Sequence, residues 1–330
     1  MIRTVMTLTA LSLVLGAAGK EKIVSRAGLK TPGVQIPFAS LVAEAEIAAS
    51  PGNPGWLYFS GSLYVPSGDA ILKVDVKTNK PADPIAGLHQ PCGGMVSAFG
   101  SLWSPQCGDG TLVRIDPKTL KVAAAIASGV SHAPGAILAS ADSVWLLTDD
   151  KTTLSRIDPD QNLVVGEIRL PAGCQSLAMA DKSIFVACPS RNQVLRINPV
   201  TNVVDEVIKV AAQPIAVAAG ADGAVWVLCR KEGKVERIDT KTNKVAKTIE
   251  LEVPDADGAI AFGEGWLWVT QKGFPLARID TKQETVVQQF HAPGVGGGTI
   301  TTSNGALWLS TPAGVSRIDP KRVLATISSE

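Results

Sequence analysis

A short phrase that recurs along the chain constrains its architecture more than any other feature. It reads "KVERIDTKTNK" between Lys234 and Lys244, and six further copies align with it. The first half of each copy ends at Asp75, Asp116, Asp158, Asn198, Asp239, Asp280 or Asp319. The steps between these residues are 41, 42, 40, 41, 41 and 39 residues. A period of about 40 residues with four strand-sized segments per unit is typical of β-propeller blades.

Each repeat carries the same four segments in the same order. A small-residue strand such as "GAIAFG" comes first, an aromatic strand such as "WLWV" second, the "RID" strand third and an outer strand such as "KVAKTIEL" fourth. Runs such as "AVWVLC" are apolar at successive positions, which indicates sheets buried on both faces. The sequence therefore predicts an all-β, seven-bladed propeller with four-stranded antiparallel blades of about 41 residues.

The outer-strand pattern occurs once more than the other three patterns. The extra copy is "LVAEAEI", from Leu41 to Ile47. We expect this N-terminal strand to close the ring by completing the last blade, which hides the sheet edges that an open array would expose. The tail "RVLATI", from Arg322 to Ile327, competes for the same place. The sequence leaves open which of the two segments occupies it.

The N-terminal residues have the pattern of a signal peptide. Arg3 precedes an apolar stretch from Val5 to Leu15, and small residues follow it. The stretch is shorter than the about 20 residues of a membrane-spanning helix. Export to the periplasm or the cell exterior is therefore favoured over a retained anchor. The predicted divisions are a signal peptide at 1–19, an N-terminal arm at 20–39 and one propeller domain at 40–330.

The composition excludes some classes of partner. The chain has 31 Lys and Arg against 30 Asp and Glu, so a net charge of +1 gives no overall field for nucleic acid. The sequence contains no CxxC, GxSxG, HExxH or P-loop motif. We expect a monomer with no membrane span in the mature chain, and no nucleic-acid partner.

The five cysteines predict two disulfides within blades. Cys92 precedes a first strand and Cys107 follows the second, and Cys174 and Cys188 occupy the matching places two blades later. The open ends of such a hairpin lie close enough for a bridge. Cys229 matches Cys188 in position but has no partner, so it should be a buried free thiol.

Two kinds of residue recur in the repeats and are best explained by architecture. The basic column is Lys73, Arg114, Arg156, Arg196, Arg237, Arg278 and Arg317. The aromatic column is Tyr64, Trp103, Trp145, Phe185, Trp226, Trp268 and Trp308. We expect each arginine to reach a carboxylate or carbonyl of the adjoining blade, and the rings to fill the space between sheets. Trp56 and Trp266 lie outside the column and are the candidates for exposed contact.

The repeated phrases resemble a known family. "RIDTKTNKVAKTI", "KVDVKTNK" and "RINPVTNVV" resemble the YVTN repeats of seven-bladed β-propellers, and the "VWV…RID" arrangement is similar to virginiamycin B lyase-like proteins. The resemblance covers Leu41 to Ile327 and implies the propeller fold. For the lyases it implies a His base and a bound Mg²⁺ in the last blades, which open a lactone-type ring. His291 is the one late histidine and has no acidic neighbour, so that activity is not carried over.

Residues that differ between repeats are the candidates for function. The connections between blades and the loops that join second to third strands should meet on one axial face. The candidates in the connections are His89, His132, Gln175, Gln213, Asp255, Asp257 and His291. The loops add Asp109, Asp149 and Asp150 on one side and Arg191, Arg230, Lys231 and Lys272 on the other. Such a face could orient a ligand with an anionic group, or its loops are polar because they face water.

Three functional hypotheses follow from this face. The leading one is a binding or scaffolding module whose partner, a protein or a small molecule, docks on the axial face. The alternative is a metal-dependent lyase or hydrolase with a His base, for which the catalytic candidates are His132, His89 and His291. Its cofactor would be a divalent metal ion held by His89, His132, Asp109 and Asp149, although such residues are also common on surfaces. The third is a structural protein that assembles through its sides.

Overall fold

The described part of the chain in the computed structural model comprises residues 24–25, 34–48, 54–130, 136–303 and 305–327. The predicted signal peptide and His132 lie outside it. Three short strands precede the first repeat: β1 (Val24–Ser25), β2 (Val34–Pro37) and β3 (Ala45–Ile47). The repeats then form seven antiparallel blades, in which strands are counted first to fourth from the axis outwards.

The strands of blades 1 to 4 follow the chain in order. Blade 1 contains β4 (Tyr58–Phe59), β5 (Leu63–Ser67), β6 (Ala70–Asp75) and β7 (Lys80–Pro81). Blade 2 contains β8 (Val96–Ala98), β9 (Ser101–Gln106), β10 (Thr111–Ile115) and β11 (Val122–Ala127). Blade 3 contains β12 (Ile137–Ala139), β13 (Val144–Thr148), β14 (Thr153–Asp158) and β15 (Leu163–Arg169). Blade 4 contains β16 (Ser176–Ala180), β17 (Ser183–Cys188), β18 (Gln193–Asn198) and β19 (Val203–Lys209).

Blades 5 to 7 include the ring closure. Blade 5 contains β20 (Pro214–Ala219), β21 (Val225–Cys229), β22 (Lys234–Asp239) and β23 (Lys244–Glu250). Blade 6 contains β24 (Gly258–Gly263), β25 (Trp266–Gln271), β26 (Phe274–Asp280) and β27 (Thr285–His291). Blade 7 contains β28 (Ile300–Ser303), β29 (Ala306–Thr311) and β30 (Gly314–Ile318), and the helix α1 (Pro320–Ala325) follows. Short 3-10 helices lie at Phe38–Ser40, Asp149–Lys151 and Pro189–Arg191.

The second strand of each blade forms the centre of the core. All residues of β13, β17 and β21 are buried, because neighbouring sheets cover both of their faces. The seven rings of the aromatic column are at most 3% exposed, which confirms that they fill the space between sheets. The seven-bladed fold predicted from the repeat is therefore confirmed.

The N-terminal strand β3 closes the ring. It is the fourth strand of blade 7 and pairs with β30 from Ala45↔Arg317 to Ile47↔Val315. The competing tail forms α1, in which Pro320 occupies the first turn and the Asp319 side chain accepts from the backbone N–H of Lys321. Blades 2, 3 and 4 also have proline at this position, before a turn and a fourth strand, so Pro320 permits the helix without requiring it. What differs in blade 7 is that β3 already occupies the place of the fourth strand.

The predicted arm contributes further strands to blade 6. Strand β2 pairs in parallel with β27, from Val34↔Gln288 to Pro37↔His291, and β1 pairs with β2. Blade 6 thus becomes a six-stranded sheet. The aperiodic composition of residues 20–39 gave no sign of this pairing.

In most blades the arginine of the "RID" phrase links neighbouring blades. In blade 4, Arg196 Nη1 donates to Thr240 O at 2.6 Å and to Asn243 Oδ1 at 2.9 Å, both in blade 5. Arg114 and Arg317 make the same pair of contacts to the blades that follow them, blades 3 and 1. The predicted contact with a carbonyl of the adjoining blade is therefore confirmed for these three arginines, whereas Arg278 donates to Gln288 of its own blade.

The acidic residue of the same phrase shapes the turn after the third strand. Asp239 Oδ1 accepts from the backbone N–H groups of Lys241 at 2.8 Å and Thr242 at 3.1 Å. Asn198 makes the same contacts in blade 4, so the amide serves as well as the carboxylate. These backbone hydrogen bonds hold the pKa of Asp239 below its ordinary value of 3.8.

Both predicted disulfides are present. Cys92 is bonded to Cys107 and Cys174 to Cys188, with Cα–Cα distances of 5.9 and 4.0 Å. Cys229 is a buried free cysteine, and burial raises the pKa of its thiol. A thiol held neutral in this way is a poor nucleophile. No helix in the described part of the chain has the length and apolar character that crossing a membrane requires.

Candidate functional site

One end of the propeller carries both the connections between blades and the loops from second to third strands. We call it the loop face, and it includes residues 107–110, 149–152, 189–192, 230–233 and 272–273. Backbone hydrogen bonds tie these loops to the connections, as in Gly108 N–H to His89 O and Lys272 N–H to Asp257 O. The predicted meeting of loops and connections on one face is thus observed. The opposite end, which we call the turn face, carries the turns from first to second and from third to fourth strands.

On the loop face, side chains of blades 4 and 5 form hydrogen bonds between separate segments of the chain. Gln175 Nε2 donates to Ile215 O of blade 5 at 3.2 Å. Arg230 Nε donates to Gln213 Oε1 at 3.0 Å, and the Gln213 backbone N–H donates to Asn192 Oδ1 at 3.0 Å. Because each bond joins two different segments, the set holds the loops of adjacent blades in one arrangement.

The set extends into the connection to blade 6 through two ion pairs. Arg230 Nη1 lies 2.7 Å from Asp257 Oδ1, and Lys231 Nζ lies 2.9 Å from Asp255 Oδ1. The side chains of Asp257 and Lys231 are 76% and 55% exposed, so the pairs contribute little to stability, about 0–1 kcal/mol each. Their effect is to orient charged groups that remain accessible from solvent.

These pairs correct the predicted division of the face into acidic and basic sides. Arg230 and Lys231 were expected to supply positive charge, and each instead faces a carboxylate. Arg191 and Lys272 remain exposed on the same side. The face of blades 4 to 6 therefore presents paired charges and amides rather than one uniform sign.

The acidic loops of blades 2 and 3 are held by local contacts. Asp109 Oδ1 accepts from the backbone N–H and the hydroxyl of Thr111, at 3.2 and 2.7 Å. Asp149 and Asp150 have positive φ angles of 47° and 53° and are exposed. A side chain at positive φ is uncommon outside Asn, Asp and Gly, so these two aspartates serve the loop conformation.

The histidines do not assemble into one site among the described residues. His89 is exposed between blades 1 and 2. His291 is the last residue of β27 and pairs with Pro37, so it belongs to an outer strand and not to a connection as predicted. His132 lies outside the described residues. Where residues are described, no three His, Cys, Asp or Glu side chains are grouped closely enough to hold a metal ion.

Two residues of the site were not anticipated from the sequence. Asn192 ends the 3-10 helix Pro189–Arg191 at a φ of 52° and accepts from Gln213. Glu232 Oε2 accepts from the Ala212 backbone N–H at 2.9 Å. Asparagine after a polar loop is a common signal for a left-handed residue, whereas nothing local indicated the long-range contact of Glu232.

The two tryptophans outside the aromatic column have different environments. Trp56 is 8% exposed and packs in the core with Tyr64 and Ile71, so the expectation of an exposed contact is wrong for it. Trp266 is half-buried at the turn face, where it borders a cavity. That cavity lies far from the loop face along the strands of blade 6.

The fold and this face define the protein as a seven-bladed β-propeller whose loop face carries polar side chains joined by hydrogen bonds and ion pairs. A family model described as a domain of unknown function (DUF5074) matches residues 97–252, which are blades 2 to 5. No curated protein matches the chain in sequence.

Solved structures of two lyases of the virginiamycin B type and of a hydrazine synthase resemble the chain. A streptogramin B lyase has a TM-score of 0.67 and 19% identity, covering 84% of this chain and 96% of that one. A virginiamycin B lyase from Staphylococcus aureus has a TM-score of 0.67 and 17% identity, covering 82% and 95%. The Kuenenia stuttgartiensis hydrazine synthase has a TM-score of 0.61 and 13% identity, covering 73% and 80%. The resemblance expected from the repeats is thus confirmed at the level of the fold.

Proposed function

We propose that the protein is an exported binding module whose loop face, across blades 4 to 6, docks a partner protein. The observation that carries the proposal is the chain of contacts from Asn192 through Gln213 and Arg230 to Asp257. These side chains are not needed by the repeat, and their mutual contacts hold them in place before a partner arrives. Preorganised polar groups lower the entropic cost of binding.

The extent of this surface favours a protein over a small molecule. Its polar groups belong to three consecutive blades, from Gln175 beside blade 4 to Lys272 in blade 6. Small ligands are bound in concave sites lined by converging groups, whereas protein contacts cover about 800 Å² per partner. The two disulfides support export, because such bonds persist in oxidising compartments.

Site-specific photo-crosslinking in the exporting cell tests the proposal. A photoreactive amino acid replaces Lys272 on the loop face or, as a matched control, the exposed Lys244 on the outer strand of blade 5. We expect one discrete adduct from position 272 and none from position 244. An adduct from position 244 alone would favour assembly through the sides, and no adduct from either position would overturn the proposal.

The lyase alternative has a separate test. Where the chain is described, neither His89 nor His291 forms an ion pair with a carboxylate. The measurement is the metal content of protein purified without chelator, compared with the His89→Ala and His132→Ala variants. One equivalent of a divalent metal that is lost in both variants would replace the binding module by the lyase hypothesis.

A further inference from the structure

The turn face contains a cavity at the junction of blades 6 and 7 that differs from its counterparts in other repeats. Its volume is about 440 Å³, and its walls include Glu44, Glu264, Trp266, Arg317, Asp319 and Lys321. The corresponding cavities of blades 1 and 5 measure about 360 and 140 Å³, and neither has an aromatic wall. The aromatic wall, and not size alone, therefore distinguishes this cavity, which lies where α1 replaces the turn and the fourth strand that follow "RID" in other blades.

Trp266 is itself a departure from the repeat. At the equivalent position, blades 2, 3 and 4 have Ser101, Ser143 and Ser183. Each of these hydroxyls accepts from the Nε of its blade's column arginine, at 2.8, 2.7 and 3.0 Å. Blade 1 has Ser62 at this position, and blades 5 and 7 have Ala224 and Ala306. The residue is therefore small in every other blade, and the repeat does not explain the ring.

The arginine of blade 6 responds to this substitution. Arg278 Nε donates to Gln288 Oε1 within its own blade at 2.5 Å, and its guanidinium lies over the Trp266 ring at 4.0 Å. Gln288 in turn donates to Val323 O and Thr326 Oγ1, which fixes the helix end of the cavity. The Arg278 guanidinium therefore covers one face of the indole. The part of the ring that lines the cavity is accessible to a ligand.

The polar groups of the cavity are of mixed sign and already oriented. Glu264 Oε1 accepts from the Gly305 N–H at 3.1 Å, and Asp319 Oδ1 accepts from the Lys321 N–H at 2.8 Å. Arg317 Nε lies 3.3 Å from Glu44 Oε2. Each of the three carboxylates can still accept with its other oxygen, and the Lys321 ammonium can donate.

We propose that this cavity binds a neutral saccharide of one or two pyranose rings, with a sugar face against Trp266 and its hydroxyls on Glu264, Asp319 and Lys321. Carboxylates beside cations supply both acceptors and donors, which is what a polyhydroxylated ring needs. Three carboxylates oppose an anionic ligand. An organic cation would meet Arg317 and Lys321 and a ring whose other face already holds Arg278. A volume of about 440 Å³ falls in the range of small-ligand sites, about 300–1,000 Å³.

The probes are methyl β-glucoside, maltose, cellobiose and N,N′-diacetylchitobiose, measured by saturation-transfer NMR and tryptophan fluorescence on the full mature chain. We expect one of them to bind and Trp266→Ser to weaken it about tenfold or more, as the loss of about 1.4 kcal/mol of ring contact implies. Trp266→Ser restores the residue of blades 2 to 4, so the fold should persist. Trp266→Tyr should retain most of the affinity, and Lys244→Ala on the outer strand of blade 5 should retain all of it.

Several outcomes would overturn the proposal. One is that no sugar of the panel binds. Another is that a sugar binds equally well to the Trp266→Ser variant, which would place it elsewhere on the molecule. A third is that choline, included as an organic cation, binds in a Trp266-dependent manner while the sugars do not. Because the site lies on the turn face, each outcome is independent of crosslinking at position 272.

Discussion

Two arginines of blade 4 show how the two ends of the propeller differ. Arg196 belongs to the repeat, and at the turn face it donates to Thr240 and Asn243 of blade 5. Arg191 lies five positions earlier, has no counterpart in the repeat and is exposed on the loop face. The same residue type thus joins blades at one end and, in the proposed function, contacts the partner at the other. The two arginines carry the same charge, and what distinguishes them is that Arg196 recurs in the repeats whereas Arg191 does not.

Truncating a buried side chain of the aromatic column should have the largest effect on the free energy of unfolding. Trp226 is fully buried between blades, so Trp226→Ala should lower the free energy of unfolding by about 3–5 kcal/mol. Trp266→Ser, which removes a half-buried tryptophan from outside the column, should cost about 1 kcal/mol or less, since Arg278 gains the serine acceptor. Chemical denaturation of both variants measures the difference. Equal costs would show that the column has no special structural role.

Removing one disulfide should have the second largest effect on stability. The Cys174–Cys188 bond closes a loop with a sequence separation of 14, and replacing both cysteines by alanine should cost about 3 kcal/mol. The matched variant is Cys229→Ala in blade 5, which removes a buried thiol without a bridge and should cost less. Thermal unfolding compares them. A larger loss from Cys229→Ala would contradict the structural role assigned to the bond.

Substituting the two arginines of blade 4 should change stability by smaller amounts, and the two changes should differ from each other. Arg196→Ala removes charge-assisted hydrogen bonds between blades and should cost about 1–2 kcal/mol. Arg191→Ala should change stability by less than about 0.5 kcal/mol, since the residue is exposed. Urea unfolding resolves this difference. Similar costs for the two variants would remove the distinction between the turn face and the loop face.

The turn aspartates give the smallest effect, seen as a pH dependence. Backbone N–H groups lower the pKa of Asp75, Asp116, Asp158 and Asp239 below 3.8 in the folded chain. The unfolded chain therefore binds protons first, so their contribution is complete above about pH 4 and is lost as the pH falls through the folded pKa. Changing these four residues to Asn, which blade 4 already has at Asn198, should flatten the stability profile below about pH 4. Unfolding curves between about pH 2 and 7 test this, and an unchanged slope would contradict it.

The sequence predicted those parts of the molecule that repeat. Seven aligned copies of "RID" identify the blades, and the hairpin positions of Cys174 and Cys188 identify a disulfide, because a repeat turns local spacing into three-dimensional position. The eighth outer-strand pattern likewise located β3. A structural role for residues such as Arg196 follows from their recurrence at the same position of each repeat.

The rest depended on contacts that no repeat encodes. The parallel pairing of β2 with β27 joins segments far apart in the chain. The pairing of Arg230 with Asp257 depends on the paths of two loops, and the sequence showed only that both were polar. His291 was placed in a connection because β27 ends later than the repeat suggested.

The most direct test of the account measures crosslinking at position 272 in the Arg230→Ala and Arg196→Ala backgrounds. Arg230 holds Gln213 and Asp257 on the loop face, whereas Arg196 joins blades at the turn face. We predict that Arg230→Ala lowers the yield of the adduct about tenfold while the free energy of unfolding falls by about 1 kcal/mol or less. Arg196→Ala should do the reverse, lowering stability with the adduct retained. Equal loss of the adduct in both variants would contradict the claim that the repeated residues build the fold and the unrepeated ones bind the partner.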